Sequence, residues 1–255
     1  MKQKKIIIGN WKMAPDSLRE ARALFQKIKE MSRKTRNIQT VICAPFIYLS
    51  ELKALVTGHA CALGAQNVSN EKNDAFTGEI SSAQLKNMGI NYVIVGHSER
   101  RAMSENNDLI AKKVVAISTN NLTAILCVGE TVRDDSGDYI SFIKTQILES
   151  LAGITHKNIT RLVIAYEPLW SVGKHTKHIA KPEDVLEISI LIKKILTDKF
   201  GKNIAEKVPV LYGGSVNQKN ARDFLVEGGV AGLLVGRASL QVEIFTEIQK
   251  IANKI

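Results

Sequence analysis

The 255-residue sequence has little cysteine, little proline and few aromatic residues. The chain is long enough to bury a sizeable core, which excludes a disulfide-stapled miniprotein. Its three cysteines, Cys43, Cys61 and Cys127, form no Cys-x-x-Cys pair and lie at the ends of short apolar runs where a small buried side chain fits, which indicates a reducing compartment. With only 5 prolines beside 17 glycines and 45% hydrophobic residues, the composition is that of a folded globule and excludes a disordered or fibrous chain. Long hydrophobic runs are also lacking, since runs such as 230–235 stop far short of the ~20 residues of a membrane span.

The amino terminus also lacks the apolar stretch of a secretion signal. A basic start, residues 1–5, is followed by three isoleucines and then by the polar residues Asn10 and Lys12. A signal peptide needs a longer apolar region after its basic head. We therefore expect no signal peptide, no membrane partner and a cytoplasmic protein.

The net charge of +10 raises the question of nucleic-acid binding. The lysines, however, are spread over many predicted helices, and no basic cluster is interleaved with aromatic residues. We therefore predict no nucleic-acid partner and interpret most of the charge as solvated helix faces. A positive field of this size still attracts a small anionic substrate.

Short apolar runs alternate with segments of helical period along the whole chain. The runs are apolar on both faces, which is typical of buried parallel strands, and they span 5–9, 39–44, 60–64, 92–96, 123–128, 162–166, 208–212 and 229–236. The helical segments span 16–34, 48–57, 81–89, 106–121, 139–152, 182–200, 218–227 and 239–253. Asp16 and Pro182 are start signals for two of these helices.

Strict βα alternation over about 250 residues predicts a single closed parallel (β/α)₈ barrel that occupies residues 1–255 as one domain. The alternative is an open, doubly wound sheet. That fold requires a glycine-rich phosphate turn after its first strand, and residues 9–12 (Gly-Asn-Trp-Lys) do not form one.

The predicted strands end in polar residues, and this is where a barrel of this kind places its site. Glu167 follows an apolar strand and precedes a proline, so its carboxylate is held at the rim and partly shielded from water, as suits a general base. His97 opens a predicted short helix whose dipole disfavours the imidazolium, which leaves a neutral donor. Lys12 adds a positive charge beside Trp11. Taken singly, each residue also has an ordinary structural explanation. Glu167 fits a carboxylate in a salt bridge at the rim, His97 a hydrogen-bonded histidine of the core, and Lys12 a surface lysine.

Two small-residue turns complete this edge of the barrel. Gly213, Gly214 and Ser215 follow the seventh strand, and Gly236 and Arg237 follow the eighth. In such barrels these two turns frequently hold a phosphate group with backbone N–H groups. The coincidence of a base, a neutral donor, a cation and two phosphate turns on one face is what predicts an active site.

With these residues in place, the sequence resembles the triosephosphate isomerase family over nearly the whole chain. The matching segments occur in the correct order: Gly-Asn-Trp-Lys at 9–12, Gly-Ala-Gln-Asn-Val-Ser at 64–69, Ala-Phe-Thr-Gly-Glu at 75–79, Val-Gly-His-Ser-Glu-Arg-Arg at 95–101, Cys-Val-Gly-Glu at 127–130, Ala-Tyr-Glu-Pro-Leu-Trp at 165–170 and Tyr-Gly-Gly-Ser-Val at 212–216.

The resemblance implies interconversion of D-glyceraldehyde 3-phosphate and dihydroxyacetone phosphate through an enediolate, in glycolysis and gluconeogenesis. It implies that Glu167 moves a proton between two carbons, that His97 polarises the carbonyl, and that Lys12 and Asn10 stabilise the negative charge. Glu99 would orient Lys12. The backbone N–H groups implied to hold the phosphate dianion are those of Gly173, Ser215, Gly236 and Arg237. The resemblance implies no cofactor and no metal.

The resemblance also implies a lid and a dimer. The segment from Trp170 through Gly173 to Pro182 matches the family's mobile lid, which excludes water from the intermediate. The loop containing Thr77 matches the family's protruding loop, which implies a symmetric homodimer with Thr77 beside the partner's Asn10 and Lys12.

The sequence departs from the family at two places. Residues 174–178 (Lys-His-Thr-Lys-His) replace the usual end of the lid, so its second hinge is atypical. His175 and His178 have a metal-like spacing without a third ligand nearby, which favours a solvated loop. Arg237 stands where a second glycine is common, and we expect its side chain to point to solvent.

Two other functions stay open on the residues alone. One is a barrel enzyme for another phosphorylated substrate, such as a phosphoribosyl compound. The other is a non-catalytic barrel that binds partners through its basic surface. A coupled assay on glyceraldehyde 3-phosphate separates both from the isomerase.

Overall fold

Eight parallel strands form a closed barrel in which each strand pairs with the next along the chain and β8 pairs with β1. The computed structural model describes residues 4–70, 76–171 and 179–255. The strands are β1 (Lys5–Asn10), β2 (Ile38–Cys43), β3 (Cys61–Ala65), β4 (Tyr92–Val95), β5 (Thr123–Val128), β6 (Leu162–Tyr166), β7 (Val210–Tyr212) and β8 (Gly232–Val235). The prediction of a closed parallel (β/α)₈ barrel is confirmed.

Helices connect successive strands and cover the outside of the barrel. They are α1 (Leu18–Lys34), α2 (Phe46–Leu55), α3 (Ser82–Asn87), α4 (Ser98–Ala102), α5 (Asn107–Thr119), α6 (Asp138–Ser150), α7 (Pro182–Phe200), α8 (Lys202–Ala205), α9 (Ala221–Val226) and α10 (Val242–Asn253). Three 3₁₀ turns lie at Ile159–Arg161, Leu169–Ser171 and Arg237–Leu240.

The strands are apolar on both faces because each face is buried in a different core. Successive side chains of a strand point to opposite faces, so Ile6 and Ile8 of β1 fill the barrel interior while Ile7 packs against the helices. The interior cluster comprises Ile6, Ile8, Val41, Cys43, Ile94, Ile125, Cys127, Val163, Ala165, Leu211 and Leu234.

Some predicted boundaries were wrong. α1 is capped by Ser17, whose hydroxyl accepts a hydrogen bond from the N–H of Glu20, and Asp16 is not its start signal. β8 begins at Gly232 rather than at residue 229, because Gly229 has φ +64° and cannot continue an extended strand. The short helix α8 was not predicted. Pro182 begins α7 as predicted.

The three cysteines are all buried and free. Burial raises the pKa of the Cys43 and Cys127 thiols well above the ordinary value, and it raises the pKa of Cys61 to about 12. These thiols therefore stay protonated and inert. In the described part of the chain, no helix is both long enough and apolar enough to cross a membrane.

Candidate active site

A cavity of about 810 Å³ opens at the carboxyl ends of the strands. Every predicted site residue that the structure describes lines it: Asn10, Lys12, His97, Glu99, Glu167, Ser215, Gly236 and Arg237. These residues come from loops after five different strands, so only the closure of the barrel brings them together. Gly173, the remaining predicted contact, lies outside the described residues.

Glu167 is carried into the cavity by the alternation of β6. Val163 and Ala165 face the barrel interior, and Glu167 continues the same face one residue beyond the strand. Its backbone N–H donates to the carbonyl oxygen of Val128, 2.8 Å away, which keeps it in register with β5. The residue is only 4% exposed, so its carboxylate is shielded from water.

The carboxylate of Glu167 contacts the start of α4. Its Oε2 accepts a hydrogen bond of 3.2 Å from the backbone N–H of Ser98, the first residue of that helix. Its Oε1 lies 3.3 Å from Nε2 of His97. The base is therefore held between a backbone donor and an imidazole, and the donor at Ser98 was not predicted from the sequence.

His97 caps α4 with its own side chain. The Nδ1 atom accepts a hydrogen bond of 3.2 Å from the backbone N–H of Glu99. A nitrogen that accepts cannot carry the ring proton, which assigns that proton to Nε2 in the neutral imidazole. The residue is 8% exposed, and Nε2 faces Glu167. This geometry fits the predicted neutral donor.

A positive φ at Gly96 turns the chain between β4 and His97. Its φ is +67°, a conformation that glycine adopts without strain. A methyl group there would also lie 3.1 Å from the carbonyl oxygen of Cys127. Glycine at 96 is therefore required both for the turn and for the close approach to β5.

Lys12 is held at the cavity by contacts to its backbone and to its side chain. Its φ is +55°, in the left-handed region that is unfavourable for residues other than glycine. The Oδ1 atom of Asn10 accepts from its N–H at 3.1 Å, and Nε2 of Gln66 donates to its carbonyl oxygen at 2.9 Å. Its ammonium forms an ion pair with Glu99, as predicted.

Gln66 is a positioning residue that the sequence did not single out, although it lies in one of the matching motifs. Besides the carbonyl oxygen of Lys12, its amide also donates to that of Cys43 at 2.9 Å. It thereby ties the strained turn after β1 to the end of β2. No sequence signal marks this role, because the three residues are far apart along the chain.

The two predicted phosphate turns face the same cavity. Ser215 is exposed in the turn after β7, and Gly236 directly precedes the 3₁₀ turn that Arg237 begins. Because Arg237 has the conformation of a 3₁₀ turn, its backbone is one that a side chain tolerates. The N–H at 237 is therefore retained despite the replacement of glycine. The side chain of Arg237 is exposed, and none of the described carboxylates forms an ion pair with it.

Hydrogen bonds anchor the chain both before and after residues 172–178. Oε1 of Glu130 accepts from the Tyr166 hydroxyl at 2.8 Å and from Nε1 of Trp170 at 2.7 Å. Burial raises the pKa of Glu130, and these two donors only partly offset that effect. On the other side, the N–H of Ala180 donates to the Ser171 hydroxyl at 2.6 Å, which holds the two ends of the segment together.

A metal site was not expected, either among the site residues or at His175 and His178. Among the described residues, no group of three or more His, Cys, Asp or Glu side chains could hold a metal ion. His175, His178 and the atypical stretch 174–178 lie outside the described residues.

Comparison with known proteins points to one family. The chain matches the model of the family described as triosephosphate isomerase over residues 5–252. It is 42% identical over 253 residues to the triosephosphate isomerase of Carboxydothermus hydrogenoformans, which covers 97% of this chain and 98% of the relative. It is 40% identical over 250 residues to that of Dictyoglomus thermophilum, covering 97% and 99%, and 38% identical over 250 residues to that of Fusobacterium nucleatum, covering 97% and 98%.

Proposed function

Because the chain belongs to the triosephosphate isomerase family, we propose that the cavity of Glu167, His97 and Lys12 is where it interconverts D-glyceraldehyde 3-phosphate and dihydroxyacetone phosphate. One observation carries this assignment. The buried carboxylate of Glu167 lies 3.3 Å from Nε2 of His97, and both line the cavity that Lys12 reaches. A base, a neutral donor and a cation at one point are what a proton transfer next to a carbonyl requires.

Glu167 removes the proton from the carbon next to the substrate carbonyl and returns it to the neighbouring carbon. The C–H bond that breaks leaves its electron pair in the enediolate, so an aldose phosphate becomes a ketose phosphate without net oxidation. In solution this step is slow because the carboxylate and the carbon acid are not held together, whereas here the base is positioned by Ser98.

His97 donates the Nε2 proton to the carbonyl oxygen as negative charge develops there, and it takes a proton back from the hydroxyl oxygen on the neighbouring carbon, so the ring is neutral again after the reaction. The backbone N–H of Glu99 donates a hydrogen bond to Nδ1. The ring proton is therefore on Nε2, the nitrogen that faces the cavity. The ammonium of Lys12 and the amide of Asn10 stabilise the oxyanion. Glu99, which pairs with Lys12, positions that cation.

Backbone N–H groups at Gly173, Ser215, Gly236 and Arg237 hold the phosphate dianion in our proposal. Gly236 lies against Lys12, since a methyl group at 236 would be 3.8 Å from its Cε. The phosphate turn and the oxyanion site are therefore adjacent, as a three-carbon substrate requires. The proposed reaction needs no cofactor and no metal, because each step moves only protons.

We further propose a symmetric homodimer that packs through the loop containing Thr77. Large apolar side chains are exposed in the segments that follow four neighbouring strands: Met13 at 93%, Ile47 in the first turn of α2 at 78%, Phe76 at 51% and Met103 at 70%. These segments lie side by side at one rim of the barrel, and a contiguous apolar surface of this kind is typical of an interface. In this proposal the interface is twofold symmetric, and Thr77 of each chain lies beside the catalytic cavity of the other.

We place the whole chain, residues 1–255, in one domain and in the cytoplasm. The support is chemical: triose phosphate interconversion is a step of glycolysis and gluconeogenesis, and three free thiols suit a reducing compartment.

A coupled assay on glyceraldehyde 3-phosphate tests the proposal. We expect formation of dihydroxyacetone phosphate without added metal or cofactor. The Glu243→Gln variant is the matched control for Glu167→Gln, because Glu243 is an exposed carboxylate on α10. Absence of turnover in the native protein, or equal loss in both variants, contradicts the proposal.

A further inference from the structure

A second cavity, of about 580 Å³, lies at the opposite end of the barrel from Glu167. It is formed where β2 to β5 begin and where the helices before them end. The lining residues are Gln39, Lys53, Val56, Gly58, His59, Cys61, Ala62, Leu63, Lys86, Gly89, Asn91, Tyr92, Asn121, Thr123 and Arg161.

The lining of this cavity carries charge of one sign. It includes Lys53, Lys86, Arg161 and the titratable His59, whereas none of its residues is Asp or Glu. None of these four side chains forms an ion pair with a carboxylate in the part of the chain that the structure describes. Some lysines elsewhere in the described residues do pair with carboxylates, as Lys113 does with Glu105. The cavity is therefore a local concentration of unneutralised positive charge.

Two of the cations are directed at one neutral atom. The carbonyl oxygen of Asn121 accepts from Nζ of Lys86 at 3.2 Å and from Nη1 of Arg161 at 3.3 Å. Asn121 has φ +56°, and this left-handed conformation turns its carbonyl toward them. Two like charges on one oxygen repel each other, and a carbonyl carries only a partial charge to offset that repulsion.

Lys53 is held over a glycine at the same cavity. A methyl group at Gly89 would lie 2.9 Å from its Nζ and 2.8 Å from its Cε, so the end of this side chain lies directly over the glycine. The φ of Gly89, +78°, favours glycine. The half-buried side chain of Lys53 lines the cavity.

Helix dipoles supply some negative charge here, but less than the cations carry. α2, α3 and α5 end beside the cavity, and each carboxyl end is equivalent to roughly half a negative charge. Three such ends offset only about half of the charge of two lysines and one arginine. The cations therefore do more than complement the helix ends, and a net positive potential remains.

We propose that this cavity is a second anion site, separate from the isomerase site, that binds a small phosphate-bearing molecule with at least two negative charges. An arginine and two lysines are the groups that bind phosphate oxygens through charge-assisted hydrogen bonds. A volume of about 580 Å³ suits a small molecule and not a protein segment. An anion between Lys86 and Arg161 also relieves their mutual repulsion.

Pyrophosphate is the probe, titrated calorimetrically into the native protein at low ionic strength. Isomerase inhibition by pyrophosphate, measured in parallel, reports on the catalytic cavity alone. The test variant is Lys86→Gln/Arg161→Gln, in which both side chains are exposed. Its charge-matched control is Lys144→Gln/Arg36→Gln, which removes an exposed lysine and an exposed arginine outside the cavity. Lys53→Gln is a second test variant should the double variant fold poorly.

We expect two pyrophosphate sites per chain in the native protein and in the control. The double variant should lose the second site, with affinity at least about tenfold weaker, because two nearby charges are gone. Its inhibition constant and kcat should stay unchanged. A single site in the native protein, or a second site of equal affinity in the double variant, overturns the proposal while leaving the isomerase assignment intact.

Discussion

Gly213 leaves the space in which the side chain of Glu167 lies. A methyl group at position 213 would be 2.9 Å from Cγ of Glu167 and 3.5 Å from its Oε1. The N–H of Gly213 also donates to the carbonyl oxygen of Tyr166 at 2.7 Å, so the end of β6 holds this glycine beside Glu167. The position of the carboxylate that we propose as the base thus depends on the absence of a side chain at Gly213.

Gly213→Ala should therefore displace Glu167 and lower kcat by roughly 10²-fold, since small misplacements of a catalytic group have effects of that size. Steady-state kinetics measure the loss, and thermal unfolding checks that the barrel is retained. Unchanged kcat in a folded variant would show that Glu167 has room to move.

Glu167→Gln should abolish most activity and keep the fold. The substitution preserves volume but removes the proton acceptor, and loss of a general base costs about 10²-fold to 10⁴-fold in kcat. Near-native turnover would defeat the assignment of Glu167 as the base.

Arg237→Gly tests the main departure at the phosphate turn. The exposed guanidinium is screened by solvent, and the backbone N–H is present in both variants. We expect KM to change by less than about threefold, or under roughly 0.7 kcal/mol. A KM at least tenfold higher, with an effect that shrinks as salt is added, would make Arg237 a direct phosphate ligand.

Phe76→Arg tests the dimer. A charge on the protruding loop should prevent association, so the mass in solution should fall to that of one chain and kcat should fall with it. Ile190→Arg on α7 is the control, because Ile190 is 61% exposed and lies away from that rim. A native protein that is monomeric at micromolar concentration and fully active contradicts the dimer.

The ion pairs of Glu105 make the free energy of unfolding depend on pH. Its Oε1 accepts from Nζ of Lys113 and from Nε of Arg100, each at 2.6 Å. Burial acts to raise the pKa of Glu105, but these two cations outweigh it and hold the pKa below the ordinary value. Its stabilising effect is therefore complete above the unfolded-state pKa of about 4.3 and is lost as pH falls through the lower folded-state pKa.

Glu105→Gln should accordingly lower the free energy of unfolding at pH 7 by about 3 kcal/mol, because Lys113 becomes a buried and unpaired cation. The difference from the native protein should shrink once the pH is low enough to protonate Glu105 in both states. Denaturant unfolding at both pH values measures this change, and an equal difference at both would contradict the ionic role.

The barrel, and the edge of it at which the candidate site lies, follow from the residue pattern. Runs that are apolar on both faces predict strands buried on both sides, and Ile7 and Ile8 are buried in this way, one against the helices and the other in the barrel interior. Polar residues such as Glu167 and His97 stood out because they interrupt those runs where parallel strands end.

The contacts between individual atoms of the site, in contrast, are visible only in the folded chain. The ring proton of His97 follows from a backbone N–H two residues on, and the positions of Lys12 and Glu167 follow from Gln66 and Gly213, which are distant in sequence. The cations Lys86 and Arg161 likewise converge on Asn121 only in the folded chain. Periodicity reports which face of an element is buried, whereas distances between loops depend on the closure of the barrel, to which every strand contributes.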